Sequence, residues 1–187
     1  MEKDGFDYVG VDTKKGMYMA VKHLAMQGHV NIAYIAGVKE LQAFKERYEG
    51  YRNALIDSGL PVNDELVVWK DYSESCGYEA GMMFLKMNQR PTAVCAANDM
   101  LALGAMRAFE DNGLKVPEDI SIVGMDNIDI ASRVKPKLSS VSIAQAEIGR
   151  IAADIIFKRL SSEEKGISKK IILEPRLVVR ESSVLYR

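Results

Sequence analysis

The stretch Pro91–Asn127, PTAVCAANDMLALGAMRAFEDNGLKVPEDISIVGMDN, reads as one complete strand–helix–strand unit. A short apolar strand spans Thr92 to Ala96, a helix follows and stops at Asn112-Gly113, and a second apolar strand spans Ile120 to Gly124. Two parallel strands joined by a helix close right-handed, and open α/β sheets bind ligands beyond the carboxyl ends of their strands. The stretch therefore predicts a parallel α/β sheet with a candidate site at that edge.

Polar side chains stand where both of these strands end. Asn98 follows the first strand and Asp126 follows the second. In one interpretation Asn98 and Asp99 cap the helix and Asp126 shapes a turn. In the other, Asn98 and Asp126 converge on a ligand. Spacing alone favours the capping and turn interpretation without excluding the second.

The composition narrows the class of protein. The 187 residues include 25 Lys and Arg against 26 Asp and Glu, so the chain lacks the basic excess of a nucleic-acid-binding surface. Cys76 and Cys95 do not form a disulfide framework and fit a reducing compartment. The start, Met1 to Asp7, has no apolar signal region, and no later apolar run approaches membrane-spanning length. We expect a cytoplasmic protein without a membrane partner.

The rest of the chain continues the alternation of strands and helices. Apolar runs and cap residues define these elements. In order they are a strand at Tyr8–Asp12, a helix at Lys15–Gln27 capped by Thr13, a strand at Ile32–Ala36, a helix with its apolar stripe from Leu41 to Leu55, a strand at Leu66–Trp69, a helix capped by Ser75, a strand at Leu138–Ile143, a helix at Gln145–Leu160 with Ile155 and Ile156 inward, an exposed loop at Ser161–Lys169, and strands at Ile171–Leu173 and Leu177–Val179.

Two further residues are candidates for binding a ligand. Arg47 lies beside the apolar stripe of its helix, where an arginine is usually solvated or salt-bridged. It is also a rigid fork of donors that could bind a polyol or a carboxylate. Tyr72 follows the strand that ends at Trp69 and offers an aromatic face.

The sequence lacks the usual motifs of metal sites, phosphate-binding loops and common catalytic sites. His23 and His29 have no carboxylate or thiol at ligand spacing, so we expect structural roles and no metal. There is no glycine-rich phosphate loop, GxSxG, CxxC or HExxH sequence, so we expect no cofactor and no enzyme. Gly77 and Gly81 predict close packing of two helices.

Taken together, the motifs resemble one known family. VGVDTKKG, ERYEGYRNALIDSGLPV, AANDMLALGA, VPEDISIVGMDN and RLVVRESS follow one another in the order and spacing of the effector-binding core of LacI/GalR-family transcriptional regulators. The resemblance covers nearly the whole chain. It implies a two-lobed fold like that of type I periplasmic binding proteins, with a small ligand, often a sugar, in the cleft between the lobes.

The resemblance also implies roles for individual residues. Arg47 matches the ligand-clamping arginine, Asn98 the asparagine of the AND motif, Asp126 the aspartate after the VG strand, and Tyr72 an aromatic platform. If Asn98 binds the ligand, Asp99 is the expected helix cap. A guanidinium, an amide and a carboxylate suit a polyol.

Ala43 and Ile143 are second-tier candidates for the cleft. Many family members have a glutamine where this chain has Ser142-Ile143-Ala144, so Ile143 offers an apolar wall in place of a polar contact.

The resemblance sets the expected domains and partners. We expect a complete second lobe at 31–139 and 175–187, a remnant of the first lobe at 1–30 and 140–174, and no DNA-binding headpiece within the chain. The expected partners are a small-molecule effector, most simply a carbohydrate, and a second copy of the chain as a homodimer. Operator DNA would be bound only through a separate helix-turn-helix headpiece.

Three functions are consistent with these observations. The first is the effector-sensing and dimerisation domain of a transcriptional regulator, most simply a repressor, that binds a sugar or sugar phosphate. The second is a solute-binding protein of transport or chemotaxis with the same fold. The third and weakest is a hydrolase or isomerase that uses Asp126 or Asp71.

Overall fold

The computed structural model describes residues 5–161 and 167–183, so the expected loop at Ser161–Lys169 lies partly outside the described residues. Strands and helices alternate along the chain. They are β1 (Tyr8–Val11), α1 (Thr13–Met26), β2 (Ile32–Ala36), α2 (Gln42–Ile56), β3 (Val67–Trp69), α3 (Glu74–Leu85), β4 (Ala93–Ala96), α4 (Asp99–Asp111), β5 (Ser121–Asp126), β6 (Ser139–Ser142), α5 (Gln145–Leu160), β7 (Lys170–Leu173) and β8 (Arg176–Val178), with short 3-10 turns at Asp64–Leu66 and Asp129–Ser132.

Most of the strands form one sheet of six in the order β3-β2-β4-β5-β6-β8. Its first five strands are parallel, and β8 runs antiparallel to β6. A separate parallel pair joins β1 to β7. The predicted α/β class with a parallel sheet and helices is confirmed.

Helices cover both faces of the larger sheet. Every residue of β2 and β4 is buried, which explains their continuous apolar sequences. The helices pack in two pairs, α1 with α2 and α3 with α4. In the second pair, a Cβ atom at Gly77 would collide with the backbone of Leu101, so the predicted close helix packing at this glycine is confirmed.

The first helix belongs to the larger sheet and not to the remnant at 1–30, which corrects the predicted boundary. Met17, Ala20, Val21 and Leu24 of α1 are fully buried in the main hydrophobic core. The helix also packs on α2, where Gly50 lets the two backbones approach. An apolar helical stripe shows that a helix is buried but does not show which sheet it covers.

The predicted boundary between residues 139 and 140 also lies slightly too early in the chain. β6 pairs with β5 over its whole length, so residues 140–142 lie in the larger sheet, whereas β7 pairs with β1 and α5 packs beside β1. Of the α5 residues, Ile155 alone is buried, and Ile156, expected inward, is 58% exposed. The two-lobe division otherwise stays a prediction.

Two helix caps differ from those expected. Asp12 rather than Thr13 precedes α1, and its side chain accepts a hydrogen bond from the backbone of Lys15 at 2.8 Å. Ser73 rather than Ser75 caps α3, accepting from the backbone of Cys76 at 3.3 Å. In both places two neighbouring residues can cap a helix, and the chain uses the earlier one.

The close approach of α3 and α4 predicts that Gly104→Ala destabilises the chain. The added Cβ would collide with the Glu74 carbonyl oxygen. Overpacking of this kind costs about 1–3 kcal/mol. Gly149→Ala in α5 is the matched control, because nothing lies within 4 Å of its Cβ position and alanine favours a helix by up to about 1 kcal/mol. Urea unfolding measures both, and equal effects would contradict the packing argument.

Candidate functional site

The candidate site lies at the carboxyl edge of the six-stranded sheet. Residues that follow or end four of its parallel strands lie at this edge: Tyr72 after β3, Asn98 after β4, Asp126 at the end of β5 and Ile143 after β6. Arg47 reaches the same edge from α2. The convergence follows from the parallel sheet, because all its parallel strands end on one side.

Arg47 forms a buried ion pair with Asp126. The arginine is 8% exposed, and its Nη2 donates to Oδ1 of Asp126 at 3.2 Å. Its Nη1 donates to the carbonyl of Ala97, and the guanidinium lies 5.5 Å from the ring centre of Phe44. Its Nε is buried and has no hydrogen-bond partner within residues 5–161 and 167–183. The arginine is therefore neither solvated nor on the surface.

The carboxylate of Asp126 can still accept a further hydrogen bond. One of its oxygens accepts from Arg47, whereas no hydrogen bond to the other is found among the described residues. Its side chain remains 22% exposed. Burial raises the pKa of Asp126, and the neighbouring guanidinium of Arg47 opposes that rise. Its backbone has a φ of +106°, an uncommon conformation for a residue other than glycine.

Asn98 is the N-cap of α4, which corrects the expectation that Asp99 takes that position. Its Oδ1 accepts from the backbone of Leu101 at 2.8 Å. Its Nδ2 donates to the carbonyl of Tyr72 at 3.1 Å and so ties the loop after β3 to the helix. An amide nitrogen carries two hydrogens, so one donor of Asn98 remains for a ligand.

Asp99 has a role that the sequence did not indicate. It is 1% exposed, and its carboxylate accepts from Ser140 Oγ at 2.6 Å and from the backbone of Ile128 at 2.8 Å. Burial raises its pKa from 3.8 to about 6, opposed by those two hydrogen bonds and by the charge of Arg180 and reinforced by the charge of Asp126.

Arg180 is a second residue that sequence reasoning did not single out. Its Nη1 donates to the carbonyl of Leu138 and its Nη2 to Oδ1 of Asn127, both at 2.7 Å. It therefore links the segment after β8 to the loop that carries Asp126. Arg180 lies in the RLVVRESS motif, which contributes to the family resemblance but does not by itself indicate a role for the arginine.

The remaining candidates contribute less to the polar cluster. Tyr72 is 53% exposed, and its carbonyl rather than its ring contacts Asn98. Ala43 is exposed on α2. Ile143 is half-buried and packs against the hydrophobic core. A ligand role for these three residues stays a prediction.

The two histidines lie apart from the candidate site. His23 Nε2 is 2.9 Å from Ser183 Oγ, and burial lowers the pKa of His23. His29 Nδ1 is 3.0 Å from Thr92 Oγ1. Within the part of the chain that the structure describes, no group of three or more His, Cys, Asp or Glu residues is arranged to hold a metal ion.

Two cavities lie elsewhere on the molecule. One, of about 870 Å³, is bounded by β1, β7 and the start of α2, and another, of about 440 Å³, is at the opposite edge of the sheet near Asn31 and Asn63. None of the four main candidate residues lines either cavity. The convergence of polar groups, rather than an enclosed volume, defines the candidate site.

Comparison with known families identifies the fold. Residues 21–183 match the model of the periplasmic binding protein-like domain. The chain belongs to that family. The periplasmic binding protein-like domain thus accounts for most of the chain, including every residue of the candidate site.

Individual relatives of this domain are transcriptional regulators. The chain is 35% identical over 182 residues to the HTH-type transcriptional repressor PurR of Vibrio campbellii, covering 97% of this chain and 54% of that repressor. The structure of a complex of the transcriptional regulator CelR with cellobiose matches with a TM-score of 0.90 and 33% identity, over 98% of this chain and 56% of that one.

A LacI family transcriptional regulator from Enterococcus faecium with bound ribose matches with a TM-score of 0.89 and 31% identity, over 100% of this chain and 69% of that one. The predicted resemblance to a LacI/GalR effector-binding domain is confirmed. The chain spans about half the length of the curated relatives it matches.

Within the described ranges, 5–161 and 167–183, no helix combines the length and the apolar character needed to cross a bilayer. The matched relatives are named as regulators and not as enzymes.

The raised pKa of Asp99 predicts a pH-dependent stability. Between about pH 4 and pH 6 the folded chain holds a proton that the unfolded chain has released, so the free energy of unfolding falls as pH rises through that window. The full effect is about 3 kcal/mol. The stability of the parent relative to Asp99→Asn should therefore decline from pH 4 to pH 6 and level off above.

Denaturant unfolding at several pH values measures this difference. Asp111→Asn, at the exposed end of the same helix, is the control: it leaves Asp99 in place, so its stability should keep the decline seen in the parent. A stability difference between the parent and Asp99→Asn that stays constant with pH would contradict the prediction.

Proposed function

We propose that this chain is the effector-sensing and dimerisation part of a bacterial transcriptional regulator. It binds a small molecule, a sugar or sugar phosphate, at the Arg47–Asp126 edge of the sheet. Binding controls the affinity for operator DNA of a helix-turn-helix domain in another part of the protein. The relatives named as repressors and as LacI family regulators support this proposal.

The observation that carries the proposal is the Arg47–Asp126 pair. The pair presents hydrogen-bond donors and a free carboxylate oxygen side by side, which is the pattern that adjacent sugar hydroxyls need. The two charges already compensate each other, so a neutral polyol can join them without leaving an unpaired buried charge. Asn98 adds one donor from the neighbouring strand end.

The named ligands of the structural neighbours agree with this chemistry. CelR is described with cellobiose and the Enterococcus faecium regulator with ribose. Both ligands are polyols. We extend only that shared class, a carbohydrate, to this chain.

Regulation would follow from ligand linkage. A ligand shifts a conformational equilibrium only by its differential affinity for the two states. Arg47 from α2 and Asp126 from β5 hold the ligand on one lobe, and the opposite lobe would close over it. The same fold could serve solute transport, but the matched relatives are regulators, which favours the first function.

A ligand screen tests the proposed function. D-ribose, cellobiose and adenine are added to the complete gene product that contains this chain, and the thermal midpoint is measured. A sugar at a hundred times its dissociation constant should stabilise the folded protein by about 2.7 kcal/mol. Stabilisation by adenine alone would overturn the carbohydrate class, and a complete gene product without a DNA-binding domain would overturn the regulator.

Arg47→Lys should weaken binding of the responding sugar. Lysine keeps the charge beside Asp126 but loses the planar fork of donors, and a hydrogen bond to a charged group is worth about 1.5–3 kcal/mol. Calorimetry measures the change. Arg52→Lys, on the exposed side of the same helix, should bind as the parent does. Unchanged affinity in Arg47→Lys would remove Arg47 from the site.

The proposal includes a homodimer. Large apolar side chains stand exposed on α5, including Phe157 at 72% and Leu160 at 76%. Exposed apolar surface of this kind marks interaction surfaces. Sedimentation should show a dimer that dissociates on dilution, and a monomer at the highest concentrations would contradict it.

A further inference from the structure

The loop that carries Asp126 has a strained backbone. Asp126 has a φ of +106° and Asn127 a φ of +53°, two successive non-glycine residues with positive φ. Such conformations cost of order 1–3 kcal/mol each and persist only where the surroundings hold them. Contacts from other elements must therefore hold Asp126 in this position beside Arg47.

One carboxylate holds the backbone on the far side of Asp126. Asp99 Oδ2 accepts directly from the amide of Ile128 at 2.8 Å. Its Oδ1 accepts from the hydroxyl of Ser140 at 2.6 Å, and that hydroxyl oxygen in turn accepts from the amide of Asn127 at 3.0 Å. Gly124 leaves the space that the carboxylate fills, because a Cβ there would collide with Asp99 Oδ1.

A guanidinium holds the same loop through a side chain. Arg180 donates to Asn127 Oδ1 and to the Leu138 carbonyl, both at 2.7 Å. The side chain of Ser139 helps to fix its backbone, because Ser139 Oγ accepts from the Arg180 amide at 2.8 Å. Two successive residues of the loop are therefore fixed by α4, by β6 and by the segment after β8.

We propose that Asp99 and Arg180 are positioning residues that hold Asp126 in the geometry required for effector binding. This inference rests on the proposed function. Neither residue contacts the ligand, and both act through the loop at 126–128. Asp99 acts as an ionised carboxylate, since only the ionised form accepts both hydrogen bonds with full strength.

The charged groups around Asp99 make its ionisation responsive to pH. The pKa of Asp99 is raised to about 6 chiefly by burial. The charge of Asp126 on β5 contributes to the rise, whereas the hydrogen bonds from Ser140 and Ile128 and the charge of Arg180 oppose it. Arg47 on α2 is paired with Asp126, which moderates the repulsion between the two carboxylates. Protonation of Asp99 removes acceptors from the loop, so the affinity for the effector should fall below about pH 6.

A purely structural role makes a different prediction. If Asp99 and Arg180 only stabilise the fold, their substitution lowers the stability but leaves the loop geometry and its pH response unchanged in the folded molecules. The amide resonances of Asn127 and Ile128 report the loop directly. They need no ligand.

The first experiment is an amide nitrogen–proton NMR titration of this chain between about pH 4.5 and pH 8. The Ile128 and Asn127 amides should titrate together with a midpoint near that of Asp99 in the parent and in Asp111→Asn. The pH response should disappear in Asp99→Asn. Amides that do not titrate in the parent, or that titrate unchanged in Asp99→Asn, would overturn the inference.

The second experiment measures the affinity of the complete gene product for D-ribose and cellobiose by calorimetry at pH 5 and pH 7.5. Arg180→Lys and Ser140→Ala should each bind the responding sugar about tenfold more weakly at pH 7.5, the loss expected for one hydrogen bond to a charged group. Arg133→Lys, an exposed arginine next to the loop, is the control and should bind as the parent does.

The two proposals fail in different ways. If the parent binds neither sugar, the assignment of a carbohydrate fails, and the NMR titration alone decides whether Asp99 positions the loop. If the parent binds a sugar and folded Arg180→Lys and Ser140→Ala bind it equally well at both pH values, the positioning inference is overturned and the proposed function stands.

Discussion

The buried ion pair between Arg47 and Asp126 is the constraint that organises the carboxyl edge of the sheet. Charges removed from water must be paired and hydrogen-bonded, because an uncompensated one costs several kcal/mol. Here the pair connects α2 to the end of β5, and the Ala97 carbonyl just after β4 accepts a second hydrogen bond from the guanidinium. Two strands and a helix are thereby held in one arrangement, with one carboxylate oxygen still available.

The sequence predicts this arrangement as far as local patterns reach. The strand–helix–strand unit at Pro91–Asn127 follows from its apolar runs and its stop at Asn112-Gly113, and the structure has the same elements with ends shifted by one or two residues. The order of parallel strands places Asn98 and Asp126 at one edge. Their location thus follows from the parallel strand arrangement, which the sequence predicts.

What the sequence does not predict depends on contacts between distant segments. Asn98 and Asp99 both carry a side-chain oxygen suited to a cap, and only the backbone decides that Asn98 takes the extended N-cap position while Asp99 turns inward. The assignment of α1 to the larger sheet likewise rests on its contacts with α2 and the strands. Arg180 is more than fifty residues from Asn127, and no periodicity connects them.

The contacts of Asp99 give a physical reason for a buried acid beside the proposed binding edge. A neutral side chain of the same shape would avoid the cost of burying a charge, and that cost is the main cause of the raised pKa of Asp99. Only a carboxylate, however, can accept from Ile128 and Ser140 at once while carrying no donor of its own. Asp126 faces Arg47 from a strained backbone. In the proposed site, the stability lost by burying the charge of Asp99 is the cost of holding the Asp126 carboxylate in place for a ligand.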